Sequence, residues 1–182
     1  FRAAGTNYVE ARTAASQRGF TPRGLGLTAN VRVRNAIRRA ASSNVIAKIP
    51  GRSRPGEYVF YIAHWDHLGR SLLRGADAIF HGAEDNATGT SGLLSLAAAF
   101  MRAPRRPERT IVFLSPTAEE AGLLGSAYYV DHPVVPLAAT VAALNMDTLH
   151  FGGPRRDVSV VGWQASELQD ALDLAARRQG RL

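Results

Sequence analysis

Short apolar runs separated by polar, Gly- and Pro-rich stretches set the pattern of this chain. Val45 to Ile49, Tyr58 to Ala63, Thr110 to Leu114, Ala138 to Asn145 and Val158 to Val161 read as strands, being short, apolar and bounded by turn residues. Ala87 to Arg102, Leu123 to Asp131 and Ala165 to Gln179 carry small and apolar residues at helical spacing, the first of them stopping just before Pro104. Strands alternating with helices predict an α/β fold, a mostly parallel mixed sheet with helices on both faces. The turn-rich stretch PGRSRPGE between the first two runs predicts a hairpin-like start to that sheet. Further upstream, Tyr8 to Arg18 reads as a short amphipathic helix closed by Gly19, and Gly24 to Arg34 alternates like an edge strand. Arg70 to Glu84 has no periodicity and is expected to be a long loop.

At 182 residues and 46% hydrophobic composition the chain suits one domain with a proper core, not two. Its longest apolar-rich runs, Leu93 to Met101 and Pro133 to Leu144, are too short for a bilayer-spanning helix, so no membrane span is expected. The chain opens on Phe1, as a processed or trimmed product does, so the lack of a leader says nothing about export. Without cysteine, any metal must sit on nitrogen and oxygen ligands. The net charge of +7 raises the question of nucleic acid. Its arginines, however, fall in scattered pairs (Arg38/Arg39, Arg105/Arg106, Arg155/Arg156, Arg177/Arg178) without interleaved aromatics, so no nucleic-acid partner is expected.

Several strands run directly into chemistry. His64, Trp65 and Asp66 follow the run ending at Ala63, and in an extended H-x-D both side chains point the same way. A carboxylate beside a histidine fixes the tautomer of a metal ligand or of a catalytic base, while the plainer reading is a histidine satisfied in a turn. Glu84 and Asp85 precede Asn86 and a helix, where Asp and Asn are ordinary caps. RTIVFLSP runs into the adjacent acids Glu119 and Glu120, and ATVAALNMD ends on Asp147. Neighbouring carboxylates aimed at one site repel unless a cation or shared proton intervenes, and two zinc ions would supply that need. Other schemes fail: Leu93 stands where a nucleophile elbow needs glycine, and H-E-x-x-H, P-loop and dinucleotide motifs are all missing.

Taken together, AHWDHLG at 63 to 69, GAEDNATG at 82 to 89, AEEAGLLGS at 118 to 126 and NMD at 145 to 147 resemble the di-zinc aminopeptidases related to glutamate carboxypeptidase, peptidase family twenty-eight. The resemblance spans roughly Ser43 to Leu182 and implies a zinc-dependent exopeptidase fold of the phosphorylase/hydrolase-like type, with its C-terminal part missing. It implies metal ligation by His64, Asp85 (bridging two Zn2+ ions), Glu120 and Asp147, with Glu119 as general base and Asp66 orienting His64. It also implies a cis Asp85–Asn86 peptide. The family's fifth ligand, a later histidine, has no counterpart after residue 150, so weak occupancy of the second zinc site and poor activity are expected. His67, His81, His132 and His150 are read as loop or capping residues.

Residues 1–22 are then expected to be the trailing segment of a protease-associated-like domain, and 23–182 a partial catalytic domain. The implied activity is removal of N-terminal residues from peptide substrates by a metal-activated water. Alternatives are a carboxypeptidase or dipeptidase, a glutaminyl cyclase-like relative, and a catalytically silent binding domain of the same fold. An extracellular or periplasmic location follows from the resemblance alone; the oligomeric state is open.

Overall fold

A computed structural model describes the chain except residues 38, 72–74, 76, 151, 156, 163, 164 and 182. Arg38 and Arg156 of the arginine pairs, and part of the expected loop between Arg70 and Glu84, lie outside the described residues. Two compact units are present, Phe1–Ala40 and Ala41–Leu182. No helix among the described residues is long and apolar enough to cross a membrane.

In the first unit, α1 (Tyr8–Ala15) starts at Asn7, whose side chain accepts from the amides of Val9 and Glu10. Such an N-cap satisfies donors that the first helical turn leaves free. The helix ends at Ser16, short of Gly19. The edge strand expected over Gly24 to Arg34 does not form, and Leu27, Val31 and Val33 stay exposed. Alternation alone makes no strand, because a strand's backbone groups need a paired neighbour.

The second unit contains β1 (Val45–Ile49), β2 (Arg54–Ile62), α2 (Ala87–Arg102), β3 (Arg109–Ser115), α3 (Leu124–Asp131), β4 (Thr140–Asn145) and α4 (Leu168–Arg178). The sheet order is β1-β3-β2-β4. Strand β2 pairs in parallel with β3 on one side and β4 on the other, while β1 runs antiparallel to β3. The sheet is therefore mixed and mostly parallel, as the pattern predicts. The hairpin is not: β3 lies between β1 and β2. A turn-rich connection records that the chain reverses, not how wide the gap is. Here the gap takes β3, which is enclosed along its length from Thr110 to Ser115 and has a pairing partner on each side. Val158 to Val161 also fails to form a strand, and both end residues are exposed.

Alternate residues of the sheet serve two cores, as the strand period of two requires. Phe60, Val112 and Leu114 pack with Tyr129 of α3 and with Val135. Ala63, Ile111 and Phe113 pack on the opposite face with Leu93 of α2. The helices thus cover both faces. This follows from topology: the chain steps from β2 to β3 in one direction, then from β3 back across β2 to β4. Crossovers of one hand put their helices on opposite faces when the direction of travel reverses. The reversal makes β2 the switch point, where open α/β sheets form a crevice at the strands' carboxyl ends.

Asn44 secures that end of β3, donating to the Gly125 carbonyl and accepting from the Thr117 amide at 2.8 and 3.0 Å. A Cβ at Gly125 would collide with both Thr117 backbone and the Asn44 side chain. Gly125→Ala should therefore destabilise the chain by about 1–3 kcal/mol. Gly56→Ala, where nothing stands in the way of a Cβ, should change stability by no more than about 0.5 kcal/mol. Urea unfolding of the two variants checks the contrast.

Candidate metal centre

The carboxyl ends of the three parallel strands converge. Strand β2 runs through Ala63 into His64, β3 leads to Glu119 and Glu120, and β4 leads to Asp147. Asp85 arrives from the start of α2, through an Asp85–Asn86 peptide that is cis, as the resemblance implies. Backbone ladders hold the ends in register: Ala63 N–H donates to Leu114 O, Trp65 N–H to Pro116 O and Met146 N–H to Ile62 O.

Buried Asn86 is the structural pin. Its amide nitrogen donates to the Met146 carbonyl and its oxygen accepts from the Gly89 amide, both at 3.0 Å. Of the two capping candidates before this helix, Asn86 takes the cap and Asp85 is left to face the crevice. Thr90 adds a bond to the His64 carbonyl at 3.0 Å. Next to the acids, Ala118 (φ 52°) and Thr148 (φ 48°) hold left-handed backbone. Such positions cost roughly 1–3 kcal/mol and persist only where surrounding contacts fix them.

His64 is 2% exposed. Its Nδ1 lies 3.1 Å from the Asp66 carbonyl oxygen. A carbonyl can only accept, so Nδ1 carries a proton, and in the neutral ring Nε2 presents a lone pair. That Nε2 faces Asp85 at 3.3 Å, Asp147 at 3.6 Å and Glu119 at 3.9 Å, yet has no hydrogen-bond partner. A buried acceptor left this way costs about 1–3 kcal/mol. With bonds of about 2.0–2.2 Å, donors on one tetrahedral zinc stand roughly 3.3–3.5 Å apart, so His64, Asp85 and Asp147 fit such an ion. Donor atoms of these three residues all lie within 4.8 Å of one another.

Asp66 sits differently from the expectation. No strand continues through His64-Trp65-Asp66, and the nearest Asp66 carboxylate oxygen is 3.7 Å from His64 Nδ1, beyond hydrogen-bond range. The carboxylate instead accepts the Glu119 amide at 3.0 Å and the Glu120 amide at 3.4 Å. Asp66 thus meets His64 through its backbone carbonyl and the amides of the acidic pair through its side chain.

Burial raises the Glu119 pKa, and His64 opposes the shift; the carboxylates of Glu120, Asp147 and Asp66 add to the rise. Among the described residues, no Arg or Lys pairs with Asp66, Asp85, Glu119, Glu120 or Asp147.

The other histidines divide. His81 pairs with exposed Asp77, and His132 stacks on Tyr128 near the end of α3, in keeping with loop and capping roles. His67, assigned the same plain role, instead lies 2.7 Å from Glu120 through Nδ1. Donor atoms of His67, Glu120 and Asp85 form a second close group. Sequence reasoning passes over His67 because its neighbour in the motif already fills the histidine position. Beside this group lies a cavity of about 380 Å³ whose walls include Trp65, Leu68, Ala118 and Ala121.

Comparison with known proteins agrees with this arrangement of strands. Residues 44–182 match Peptidase family M28. The chain belongs to that family. It is 35% identical over 141 residues to the aminopeptidase NAALADL1 of Mus musculus, a match covering 73% of this chain and 17% of that protein. It is 32% identical over 122 residues to a probable glutamate carboxypeptidase of Arabidopsis thaliana, covering 65% of this chain and 16% of the relative. The fold matches the zinc aminopeptidase BSAP of Bacillus subtilis with a TM-score of 0.59 and 26% identity, over 76% of this chain and 33% of that one. The M28 chain described here therefore spans a minor part of these relatives.

If Asp66 sets the acidic pair through its amides, Asp66→Ala should weaken zinc binding by about 10–100-fold in calorimetric titration. Asp66→Asn keeps one acceptor oxygen and should recover part of the loss. Equal affinity in wild type and Asp66→Ala would remove this role.

Proposed function

We propose that this chain carries the core of a zinc exopeptidase centre that cleaves the first residue from peptide substrates. The observation that carries the reading is the buried, unpartnered Nε2 of His64 facing the carboxylates of Asp85, Glu119 and Asp147. His64, Asp85 and Asp147 would hold one Zn2+, and Glu120 a second through the shared Asp85. When bound, the ions supply a water of lowered pKa and a Lewis acid for the scissile carbonyl.

The remaining roles fall to the chain's own groups. Glu119 takes the proton of the attacking water and passes it to the leaving amine nitrogen, so no net proton is left on the enzyme after the peptide bond breaks. Asp66 fixes Glu119 at its backbone amide, which keeps the base from drifting out of reach. The strand-end bonds keep His64 and Asp147 on the same rim.

The choice of an aminopeptidase over a carboxypeptidase rests on charge. Five carboxylates without an Arg or Lys partner among the described residues leave one negative charge beyond the four positive charges of two divalent ions. Such a site attracts the ammonium of a peptide's N-terminus and repels a C-terminal carboxylate. The cavity beside Trp65 and Leu68 offers an apolar wall to the first side chain. The retained Glu119 speaks against a silent binding domain, since binding alone needs no base there.

Zinc-loaded chain should release the chromophore from an aminoacyl anilide, and much more slowly from the same compound with its amine acetylated. Equal rates on the two would overturn the aminopeptidase assignment. Glu119→Gln should lower kcat by about 10²–10⁴-fold with zinc content unchanged. A variant that retains its turnover would leave the chain without this base.

A further inference from the structure

The net charge of +7 is not spread along the chain. Phe1–Ala40, the first compact unit, holds eight arginines and one acid, Glu10. The second unit holds fourteen lysines and arginines against fourteen aspartates and glutamates, so its arginine pairs are balanced. The entire excess therefore belongs to the first forty residues. No acid occurs between Glu10 and Glu57, and among the described residues no arginine of the first unit pairs with a carboxylate.

The densest stretch is VRVRNAIRRA at 31 to 40, with four arginines in ten residues. Aliphatic side chains stand open between these charges. Val31 is 81% exposed, Val33 68% and Ile37 89%, with Leu27 at 53% just upstream. Among the described residues from 20 to 40 no helix or strand forms. Clustered arginines without counter-charges repel one another, and open aliphatic surface is costly in water. One kind of surface relieves both. An anionic bilayer offers phosphates to guanidinium groups and an acyl boundary to aliphatic side chains. A nucleic acid would meet the charge but leave the aliphatics in water, and no aromatic residue lies between Phe20 and Tyr58 for bases to stack on.

We propose that residues 23–40 are a peripheral membrane-binding segment that holds this chain on an anionic lipid surface. The arginines of VRVRNAIRRA meet headgroup phosphates, while Leu27, Val31, Val33 and Ile37 enter the boundary between headgroups and acyl chains. Because the second unit carries no net charge, this segment alone sets the attraction. It contains none of the residues of the metal centre, so the proposal stands apart from the zinc reading.

The test is sedimentation of the full chain with lipid vesicles. Vesicles of phosphatidylcholine and phosphatidylserine in equal parts should bind it at least about tenfold more tightly than phosphatidylcholine alone, and rising salt should release it. Arg32→Gln, Arg34→Gln, Arg38→Gln and Arg39→Gln made together should weaken binding by at least about 100-fold, near fivefold for each arginine. Val31→Ser, Val33→Ser and Ile37→Ser made together should weaken it by at least about tenfold with the charge unchanged. A thermal unfolding midpoint equal to that of wild type establishes that each variant is folded. Equal binding to the two kinds of vesicle, or an arginine variant that binds as wild type does, overturns the proposal. So does an aliphatic variant with full vesicle affinity, which would leave charge as the whole contact. Tighter binding to duplex DNA than to the acidic vesicles, unchanged in the aliphatic variant, would assign the segment to nucleic acid and overturn the lipid surface as its partner.

Discussion

The centre depends on the parallel pairing of β2 with a strand on either side of it. Were β3 or β4 reversed, its carboxyl end would lie at the far rim, a strand's length from His64. Parallel pairing obliges the chain to return across the sheet each time, and helices α2 and α3 make those returns. Because the two returns run in opposite directions along the sheet, both of its faces are covered and the rim between them stays open. Core packing and site placement are thus the same topological fact.

Electrostatics works against this arrangement. Bringing Asp85, Glu119, Glu120 and Asp147 to one rim opposes folding, and the protein answers with fixed donors in place of arginines. Two amides point at Asp66, and Asn86 spans α2 and β4 with both ends of its side chain satisfied. Asp85 and Asp147 remain about two-fifths exposed, so water screens them, whereas His64 is enclosed. A buried imidazole at the centre of a partly wetted acidic ring gains stability when its free nitrogen finds a positive partner.

Much of this is legible in the sequence. The apolar runs before His64, Glu119 and Asp147 mark buried strands and therefore a common rim, and the small residues after Asn86 mark the helix whose start carries Asp85. What the pattern could not supply was partnership. Val45 to Ile49 is a strand, but its antiparallel bond to β3 is decided by which edge was still free. Gly24 to Arg34 and Val158 to Val161 have strand-like residues and no neighbour to pair with. The contact of Asp66 with the acidic pair, and the turn of His67 toward Glu120, arise in a loop where side-chain direction has no period to read.

The groups of the centre come from four separate stretches of chain: the loop after β2, the start of α2, the turn after β3 and the end of β4. An ion held by His64, Asp85 and Asp147 would tie three of these stretches together and close two long loops at one point. Closing a loop costs chain entropy that rises only slowly with its length, so one ion could restrain most of this unit. Any ligand that binds the folded chain alone adds to its stability by mass action. The cation would then act as a staple, and the free zinc of the surroundings would set what share of the chain is folded.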